Sequence, residues 1–233
     1  EAVDDINQLI NSLERLIKKK KAIKQGAIQD LLTGKKRLKG FDGNWVNKKI
    51  GEVGFISGAG VDKTVNPKET SVILLNYLDV YHYTYLRRCQ LNHAVTAKHE
   101  KLLQCNVKKD DVFFTPTSET IHDIAQTAVS LEDMKDVVYS YHIIRLRPFN
   151  GYSGIFIKYA CDTTNFSEQA KKFADGSGTR YVISLSSFRE ELEISVPPTL
   201  KEQTAIAEIL TTMELEIEHL QEKLNKYQKI KQG

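Results

Sequence analysis

The two ends of this 233-residue chain carry copies of one apolar heptad pattern, and this repeat constrains the fold more than any other feature. Residues 23–26, with the sequence Ile-Lys-Gln-Gly, recur as residues 230–233. Further upstream the matching positions are Glu1 with Glu208, Ile10 with Ile217, Leu13 with Leu220, and Lys19 with Lys226. The repeat predicts a fragment or half of a protein built from two such periods, or one unit that pairs with another.

Both copies are typical of long amphipathic helices with a coiled-coil seam. The predicted seam of the first helix consists of Ile6, Leu9, Leu13, Leu16, Ile23 and Ala27, with Lys20 at its one polar position. The predicted seam of the second helix consists of Ile206, Leu210, Met213, Ile217, Leu220, Leu224, Tyr227 and Ile230. A single helix of this kind would expose its apolar stripe, so each helix needs a partner.

Helix-ending residues and turn residues divide the chain into four segments. Gly34 ends the first helix, Pro197-Pro198 closes the middle region, and Thr199 with Glu202 forms a capping box that starts the last helix. We therefore predict a helix at residues 1–34, a connector at 35–44, a central domain at 45–198 and a second helix at 199–233. The two helices would be antiparallel if they pack side by side, and two such units could instead pair through the same seams.

The central domain alternates between β-rich and helical segments, which predicts an α+β fold with a mixed, twisted sheet. Strands are expected where Val, Ile, Tyr and Phe are dense and turn residues lie on either side: residues 50–57, 70–78, 111–115, 137–147 and 181–185. Short helices are expected at residues 154–161 and 167–174.

Composition and motifs argue against most catalytic functions. The net charge of +3 permits nucleic acid as a partner without requiring it. There is no phosphate-binding loop, no paired metal-ligand spacing and no apolar run long enough to span a membrane. Residues 66–69 read Asn-Pro-Lys-Glu and lack the Asn-Pro-Pro-aromatic signature of amino-methyltransferases. Three widely spaced cysteines favour buried thiols in a reducing cytoplasm. We expect neither a metal nor a cofactor in this chain.

Two polar loops are the strongest candidates for contact with nucleic acid. The first follows a hydrophobic strand and offers hydroxyls and a carboxylate at Thr115, Thr117, Ser118 and Glu119. Hydroxyls can bond to phosphates or base edges, and Glu119 could accept a hydrogen bond from a cytosine amino group. The alternative for this loop is a turn that caps the next helix. The second loop is glycine-rich and basic, and it contributes Lys171, Lys172, Ser177, Thr179 and Arg180. Arg180 has a planar fork suited to guanine or phosphate, although a plain flexible loop would also explain the glycines.

Weaker candidates lie elsewhere in the central domain. One patch comprises Arg145, Arg147 and Tyr152 near a predicted strand end. Another comprises Arg87, Arg88, His93, Lys98 and Lys101. The run of four lysines at residues 18–21 is better explained as a solvated helix face.

The motifs at the two domain borders resemble those of the specificity subunit of type I restriction-modification systems. At the first border, residues 31–35 read Leu-Leu-Thr-Gly-Lys, and residues 37–45 read Arg-Leu-Lys-Gly-Phe-Asp-Gly-Asn-Trp before Ile-Gly-Glu-Val at 50–53. At the second border, residues 196–203 read Val-Pro-Pro-Thr-Leu-Lys-Glu-Gln before Ile-Ala-Glu-Ile-Leu at 206–210. Residues 108–120 also look like part of a target-recognition domain. Lys39 departs from the proline often found there.

The resemblance implies a non-catalytic subunit with two target-recognition domains, each of which reads half of a bipartite DNA site, joined by two antiparallel spacer helices. A helix of about 30 residues would span about 45 Å, on the scale of one turn of B-DNA, about 34 Å. The resemblance further implies methyltransferase subunits that use S-adenosylmethionine, an ATP-driven restriction subunit, and a bacterial or archaeal cytoplasm. Self-association through the helices is also expected.

Two other interpretations of the sequence remain. A self-assembling coiled-coil scaffold with a protein-binding domain would form stable oligomers without affinity for DNA. The chain could also be the specificity domain of a fused restriction-methylation enzyme, which only the full-length gene would reveal.

Overall fold

The computed structural model describes residues 2–232, in which two long helices flank a domain of mixed sheet and helix. Glu1 and Gly233, at the ends of the sequence repeat, lie outside the described residues. The helices are α1 (Ala2–Leu31), α2 (Ile50–Val53), α3 (Tyr77–His82), α4 (His99–Gln104), α5 (Gly154–Cys161), α6 (Thr164–Lys172), α7 (Leu185–Glu190) and α8 (Leu200–Gln232), with 3₁₀ turns at Arg88–Gln90 and Ile121–Asp123. The predicted α+β class is confirmed.

The strands of the domain are short and form several sheets. They are β1 (Val46–Lys49), β2 (Gly54–Ser57), β3 (Thr70–Leu75), β4 (Tyr85–Leu86), β5 (Ala94–Ala97), β6 (Asn106–Val107), β7 (Val112–Phe114), β8 (Thr117–Ser118), β9 (Thr127–Ser130), β10 (Met134–Tyr139), β11 (Ile144–Pro148), β12 (Asp175–Ser177), β13 (Arg180–Val182) and β14 (Glu193–Val196). The larger sheets have the strand orders β2-β11-β7-β9-β4 and β5-β3-β10-β6. The β10/β3 and β4/β9 pairs are parallel, so both large sheets are mixed.

The five-stranded sheet lies between two hydrophobic cores. Successive side chains of a strand point to opposite faces, so β7 supplies both cores. Val112 and Phe114 face a core shared with α5, α6 and the domain-facing ends of α1 and α8, whereas Phe113 faces the core shared with the four-stranded sheet. All three side chains of β7 are completely buried. This central sheet therefore fixes the positions of the loops at its edges.

The helices α1 and α8 pack against each other in antiparallel orientation. Lys24 pairs with Glu214, and Lys20 pairs with Glu216 at 2.7 Å. Residue numbers therefore fall along α1 in the direction in which they rise along α8. Away from the domain, the buried apolar residues between the two helices form a separate cluster consisting of Ile10, Leu13, Ile17, Ile217 and Leu224.

The predicted seam of α1 is wrong at two positions. Leu16 is 39% exposed and Ile23 is 47% exposed, and the buried contact is made by Ile17 instead of Leu16. Apolar doublets at residues 9–10 and 16–17 leave the phase of the pattern ambiguous. The structure places Lys24 on the inner face, where Glu214 neutralises it. The other predicted pairing residues divide into two sets: Ile6, Leu9 and Leu220 pack beside the helix cluster, whereas Leu210 and Met213 contact the main core of the domain.

Four of the predicted strands are interrupted, and the prediction is corrected there. Residues 50–53 of the first form α2, and the second ends at Leu75 before α3. Asp79 accepts a hydrogen bond from the backbone N–H of Asn76 at 2.7 Å, which stabilises the start of α3. The segment 137–147 is divided into β10 and β11, and the segment 181–185 ends where Ser184 caps α7 by accepting from Ser187 N–H at 3.0 Å. These caps are local hydrogen bonds that compete with strand formation.

The remaining elements follow the prediction more closely. The strand expected at residues 111–115 is present as β7, and the helix at 154–161 has the expected bounds. The helix expected at 167–174 begins at Thr164, because the Thr163 hydroxyl accepts from Phe166 N–H. An N-cap of this type defines where a helix starts.

The connector is clamped to the start of α8 by a buried carboxylate. Arg37 donates from Nε and Nη2 to the two carboxylate oxygens of Glu202 at 2.7 and 2.8 Å, and Trp45 Nε1 donates to the same carboxylate at 3.3 Å. The side chain of Glu202 is only 1% exposed. Thr199 accepts from Glu202 N–H at 3.2 Å, as expected for a capping box. A complete capping box would also have the Glu202 carboxylate accept from Thr199 N–H. That part of the prediction is wrong, because the carboxylate accepts from Arg37 and Trp45 instead.

The three cysteines differ in exposure. The three thiols are free, but Cys89 is exposed, so the expectation of buried thiols holds only for Cys105 and Cys161. Among the helices within residues 2–232, none is long and apolar enough to cross a membrane. Within the same residues, no three His, Cys, Asp or Glu side chains cluster closely enough to hold a metal ion.

Candidate nucleic-acid interface

The two polar loops that the sequence singled out meet in one small sheet. Strand β13 pairs with β8, with Tyr181 opposite Ser118 and Val182 opposite Thr117. Strand β12 pairs with the other edge of β13 and completes a three-stranded sheet. The tight hairpin depends on Gly176, whose φ is +123° and whose place leaves no room for a Cβ beside the Arg180 carbonyl. Segments about 60 residues apart along the chain are therefore side by side.

A cleft of about 580 Å³ lies where these loops meet helix α3. Its lining combines aromatic, hydroxyl and charged side chains, which can contact both the planes and the edges of bases. The lining residues are Tyr77, Leu78, Tyr81, Thr117, Ser118, Glu119, Thr120, Asp123, His142, Thr179 and Arg180. We call this feature the recognition cleft. It contains Thr117, Ser118, Glu119, Thr179 and Arg180 from the sequence-based set.

Sequence reasoning missed the aromatic wall of the recognition cleft. The rings of Tyr77 and Tyr81 lie 6.3 Å apart and 14° from parallel, and Leu78 beside them is 60% exposed. Tyr77 is fixed by a hydrogen bond of 2.9 Å from its hydroxyl to Thr117 O, and burial raises the pKa of this phenol. Because residues 70–78 read as a strand, the i, i+4 spacing of the tyrosines was not recognised as one helix face.

A second aromatic loop borders the cleft between β10 and β11. The rings of Tyr141 and His142 are in contact, with centroids 3.9 Å apart and planes tilted by 37°. The loop rests on Gly60, where a Cβ would come within 2.2 Å of the Ser140–Tyr141 backbone. Burial lowers the pKa of His142, and the positive charges of Lys63 and Arg180 lower it further. All three effects favour the neutral form of the imidazole.

Local hydrogen bonds position the polar side of the cleft. The Thr120 hydroxyl donates to Asp123 at 2.7 Å, and Thr120 N–H donates to Ser118 Oγ at 3.2 Å. These bonds stabilise the bend after β8, and the Asp123 carboxylate accepts one of them. Glu119 is exposed on the same bend and makes no hydrogen bond or ion pair within the part of the chain that the structure describes.

Two residues of the predicted interface are internal. Thr115 is completely buried, and its hydroxyl accepts from Gln126 N–H at 3.0 Å. Arg145 is 4% exposed, lies 5.1 Å from the centre of the Tyr139 ring and donates to Asn106 O at 2.7 Å. Burial lowers the pKa of Arg145. Neither side chain can reach DNA in this structure, so the predicted contacts of Thr115 and Arg145 are corrected.

Arg147 and Tyr152 are also engaged inside the domain. Arg147 donates twice to the completely buried Asp111, at 2.7 and 2.6 Å, and also to Asn106 O at 3.2 Å. Tyr152 is half-buried against the main core, next to Gly151, whose carbonyl accepts from Gln203. This patch therefore has a structural role in the described chain.

We expect Arg147→Ala to lower the free energy of unfolding by about 2–3 kcal/mol, because the buried Asp111 carboxylate would keep only its bond from Lys108 N–H. Urea unfolding monitored by circular dichroism measures this change. The matched control is Arg88→Ala, which removes a similar but exposed arginine–aspartate pair worth about 0–1 kcal/mol. Equal losses in the two variants would contradict the structural role of Arg147.

The remaining basic and polar candidates lie around the hairpin. Ser177 is exposed on β12, and Lys172 is exposed with its ammonium 5.3 Å from the Phe173 ring. Lys171 pairs with Glu168 at 2.7 Å. These three residues do not line the recognition cleft.

A second groove of about 660 Å³ is lined in part by Tyr141, the residue that precedes His142 of the cleft. Lys98 and Lys101 line this groove together with the acidic side chains of Asp62 and Glu69. Both lysines lack ion pairs within residues 2–232. Arg87 and Arg88, which the sequence grouped with them, are instead paired with Glu218 at 3.5 Å and Asp136 at 2.8 Å. We call Lys98 and Lys101 the lysine strip.

Comparison with solved structures shows a shared architecture. The S subunit of a type I restriction-modification system from M. genitalium aligns with 99% of this chain at a TM-score of 0.64 and 13% identity. The HsdS subunit from Thermoanaerobacter tengcongensis aligns over the same share at 0.59 and 13% identity. A structure described as the basis of complex assembly and conformational transition of the type I R-M system aligns at 0.62 and 14% identity, also over 99% of this chain. The chain spans 53–57% of the length of these three.

A family model provides the sequence evidence. A search of curated proteins found no match. The model for the type I restriction modification DNA specificity domain matches residues 42–229, which cover the central domain and most of α8. This match extends over far more than half of the chain and includes every residue of the recognition cleft. The chain therefore belongs to the family of type I restriction-modification DNA specificity domains.

Proposed function

We propose that this chain is a sequence-specific DNA-recognition unit, and that the recognition cleft contacts base edges while the lysine strip contacts phosphates. The observation that carries the proposal is the meeting of two polar loops across the β8/β13 ladder, which brings an exposed arginine, a glutamate and stacked tyrosines into one cleft. Base contacts specify sequence and phosphate contacts position the protein, and this surface offers groups for both.

The proposal extends to the complete enzyme. The unit reads one half of a bipartite site and directs methyltransferase and restriction subunits to it, while S-adenosylmethionine and ATP bind those partners. The described residues supply a recognition surface, and the family is one of specificity domains, which supports a non-catalytic role in the cell's cytoplasm.

The helices support a role in assembly. Leu16 and Ile23 are exposed and lie seven residues apart, so they share one outer face of α1. A second recognition domain, from a second copy or from a longer chain, could approach through this face. We propose that such pairing sets the distance between half-sites. The mass of the purified chain in solution distinguishes a monomer from a self-associated form.

Selection from a randomised duplex library, with the methyltransferase partner supplied, tests the recognition role. We expect enrichment of a short sequence, with affinity that falls as salt rises because bound phosphates release counterions. If no sequence is enriched at any salt concentration, the recognition role is wrong. A coiled-coil scaffold would show stable oligomers and no affinity for DNA.

Removing the lysine strip should weaken binding without changing the sequence preference. The double variant Lys98→Ala/Lys101→Ala should lower the slope of log K against log salt by about 2, because two phosphate contacts are lost. Anisotropy titrations at several salt concentrations measure the slope. The control is Lys18→Ala/Lys21→Ala, which removes two exposed lysines from α1. The lysine strip has no part in binding if both double variants retain the original slope.

A further inference from the structure

We infer that Glu119 and Arg180 read the same C·G base pair from the major groove. This inference rests on the proposed function, because it assumes that the recognition cleft contacts DNA. It goes further by naming the base pair and the two side chains that select it. Within residues 2–232 neither side chain makes a hydrogen bond or an ion pair, and both line the cleft.

The β8/β13 ladder brings the two residues to one end of the small sheet. The strands are antiparallel, with Val182 opposite Thr117 and Tyr181 opposite Ser118. Arg180 precedes Tyr181 on β13 and Glu119 follows Ser118 at the end of β8, so both residues flank the Tyr181/Ser118 pair at the same end of the ladder. Both line the recognition cleft there.

Both side chains are exposed and available to a ligand. Within residues 2–232, Glu119 and Arg180 form no ion pair with each other or with another side chain, although they have opposite charges. The cleft's other carboxylate, Asp123, is used by Thr120. The arginines at positions 87, 88 and 147 each have a carboxylate partner. Glu119 and Arg180 are thus the charged pair of the cleft that remains available to a ligand.

The two side chains are chemically complementary to the major-groove edge of a C·G base pair. In the major groove cytosine presents its N4 amino group as a donor, and guanine presents O6 and N7 as acceptors. In a C·G pair these groups are neighbours, because the amino group also bonds to O6. A carboxylate only accepts and a guanidinium only donates, so Glu119 and Arg180 together match this edge. In a T·A pair thymine O4 would face the carboxylate and the adenine amino group would face the guanidinium, which leaves both mismatched.

The surroundings of the two residues favour such a contact. Tyr77, Leu78 and Tyr81 form the wall opposite the ladder, and Tyr77 is held by Thr117 O. Apolar surface around a base edge excludes water and strengthens the charged hydrogen bonds inside. The hydroxyls of Thr117 and Thr179 lie beside the pair and can contact neighbouring bases or phosphates.

The test is library selection with the full chain and its methyltransferase partner, carried out on wild type, Glu119→Gln and Arg180→Gln. Wild type should enrich C·G at one position of the site. Each variant should reduce that preference about 5- to 150-fold, which is the discrimination expected of one good side-chain pair. Both variants should affect the same position and leave the other positions unchanged. Glu190→Gln, on an exposed residue of α7 outside the cleft, should change no position.

The outcomes separate this inference from the proposed function. If a sequence is enriched but the two variants alter different positions, or alter none, the shared base pair is wrong and DNA recognition stands. A uniform loss of affinity over all sequences would indicate phosphate contact and would also overturn the inference. If wild type enriches no sequence, the proposed function fails together with the inference. Thermal unfolding of each variant should match wild type, because both residues are exposed.

Discussion

Arg180→Glu should weaken binding to the selected duplex about 100-fold or more at 0.15 M salt, roughly the physiological ionic strength. The change removes the exposed guanidinium of the recognition cleft and adds a second carboxylate to the cleft that Glu119 lines, close to the negative DNA. A lost arginine–guanine contact costs about 1–3 kcal/mol, and like charges in an interface cost several kcal/mol more. Fluorescence anisotropy with a labelled duplex measures the dissociation constant.

Arg15→Glu is the matched control for this variant. Arg15 is exposed on α1 and makes no hydrogen bond or ion pair in the described part of the chain, and the substitution changes the net charge by the same amount. We expect its effect on affinity to be no more than a few-fold, because Arg15 does not line the recognition cleft and exposed charges interact weakly beyond the Debye length of about 8 Å. If the two variants lose affinity equally, binding depends on net charge and the cleft is not the interface.

Arg37→Ala should produce the largest loss of stability, about 3 kcal/mol in the free energy of unfolding. The Glu202 carboxylate is 1% exposed and would keep only the 3.3 Å bond from Trp45. Breaking a buried pair by removing one partner leaves an uncompensated charge, which typically costs about 3–5 kcal/mol. We take the lower end because the Arg37 side chain is 24% exposed. Urea unfolding monitored by circular dichroism provides the measurement.

Two controls make this prediction specific. Lys36→Ala removes the neighbouring exposed pair with Asp30 and should cost about 0–1 kcal/mol. The double variant Arg37→Ala/Glu202→Ala should be more stable than Arg37→Ala alone. The single variant leaves the buried Glu202 carboxylate without its cationic partner, whereas the double variant removes that charge as well. If the double variant loses as much as the sum of the two single variants, the Arg37–Glu202 pair does not clamp the connector to α8.

The parts of the fold that depend on local patterns could be predicted from the sequence. The two end helices, the α+β class and the helix at 154–161 depend on periodicity, composition and nearby turns. The phase of the α1 seam could not be settled in this way. It depends on Glu214, a residue about 190 positions away that pairs with Lys24 and allows a lysine on the inner face.

The candidate site shows the same limit. Thr117, Ser118, Glu119, Thr179 and Arg180 were identified as polar loop residues, but their shared cleft depends on the pairing of β8 with β13. Long-range contacts also decide which charged residues are free. The sequence ranked Arg145 and Arg147 below Arg180 as candidates but did not show that Tyr139, Asn106 and Asp111 engage them inside the domain.

The aromatic wall was missed for a related reason. The stretch 70–78 is rich in β-forming residues, and only the hydrogen bond between Asn76 N–H and Asp79 marks where α3 begins. Once that helix is recognised, Tyr77 and Tyr81 fall on one face by their spacing alone.

Photocrosslinking tests the central claim most directly. A selected duplex carrying 5-iodouracil at each thymine in turn is bound to the chain and its methyltransferase partner, irradiated, digested and analysed by mass spectrometry. The account predicts adducts on the aromatic residues at the cleft, which are Tyr77, Tyr81, Tyr141 and His142. Adducts confined to α1 and α8, with none in the central domain, would contradict it.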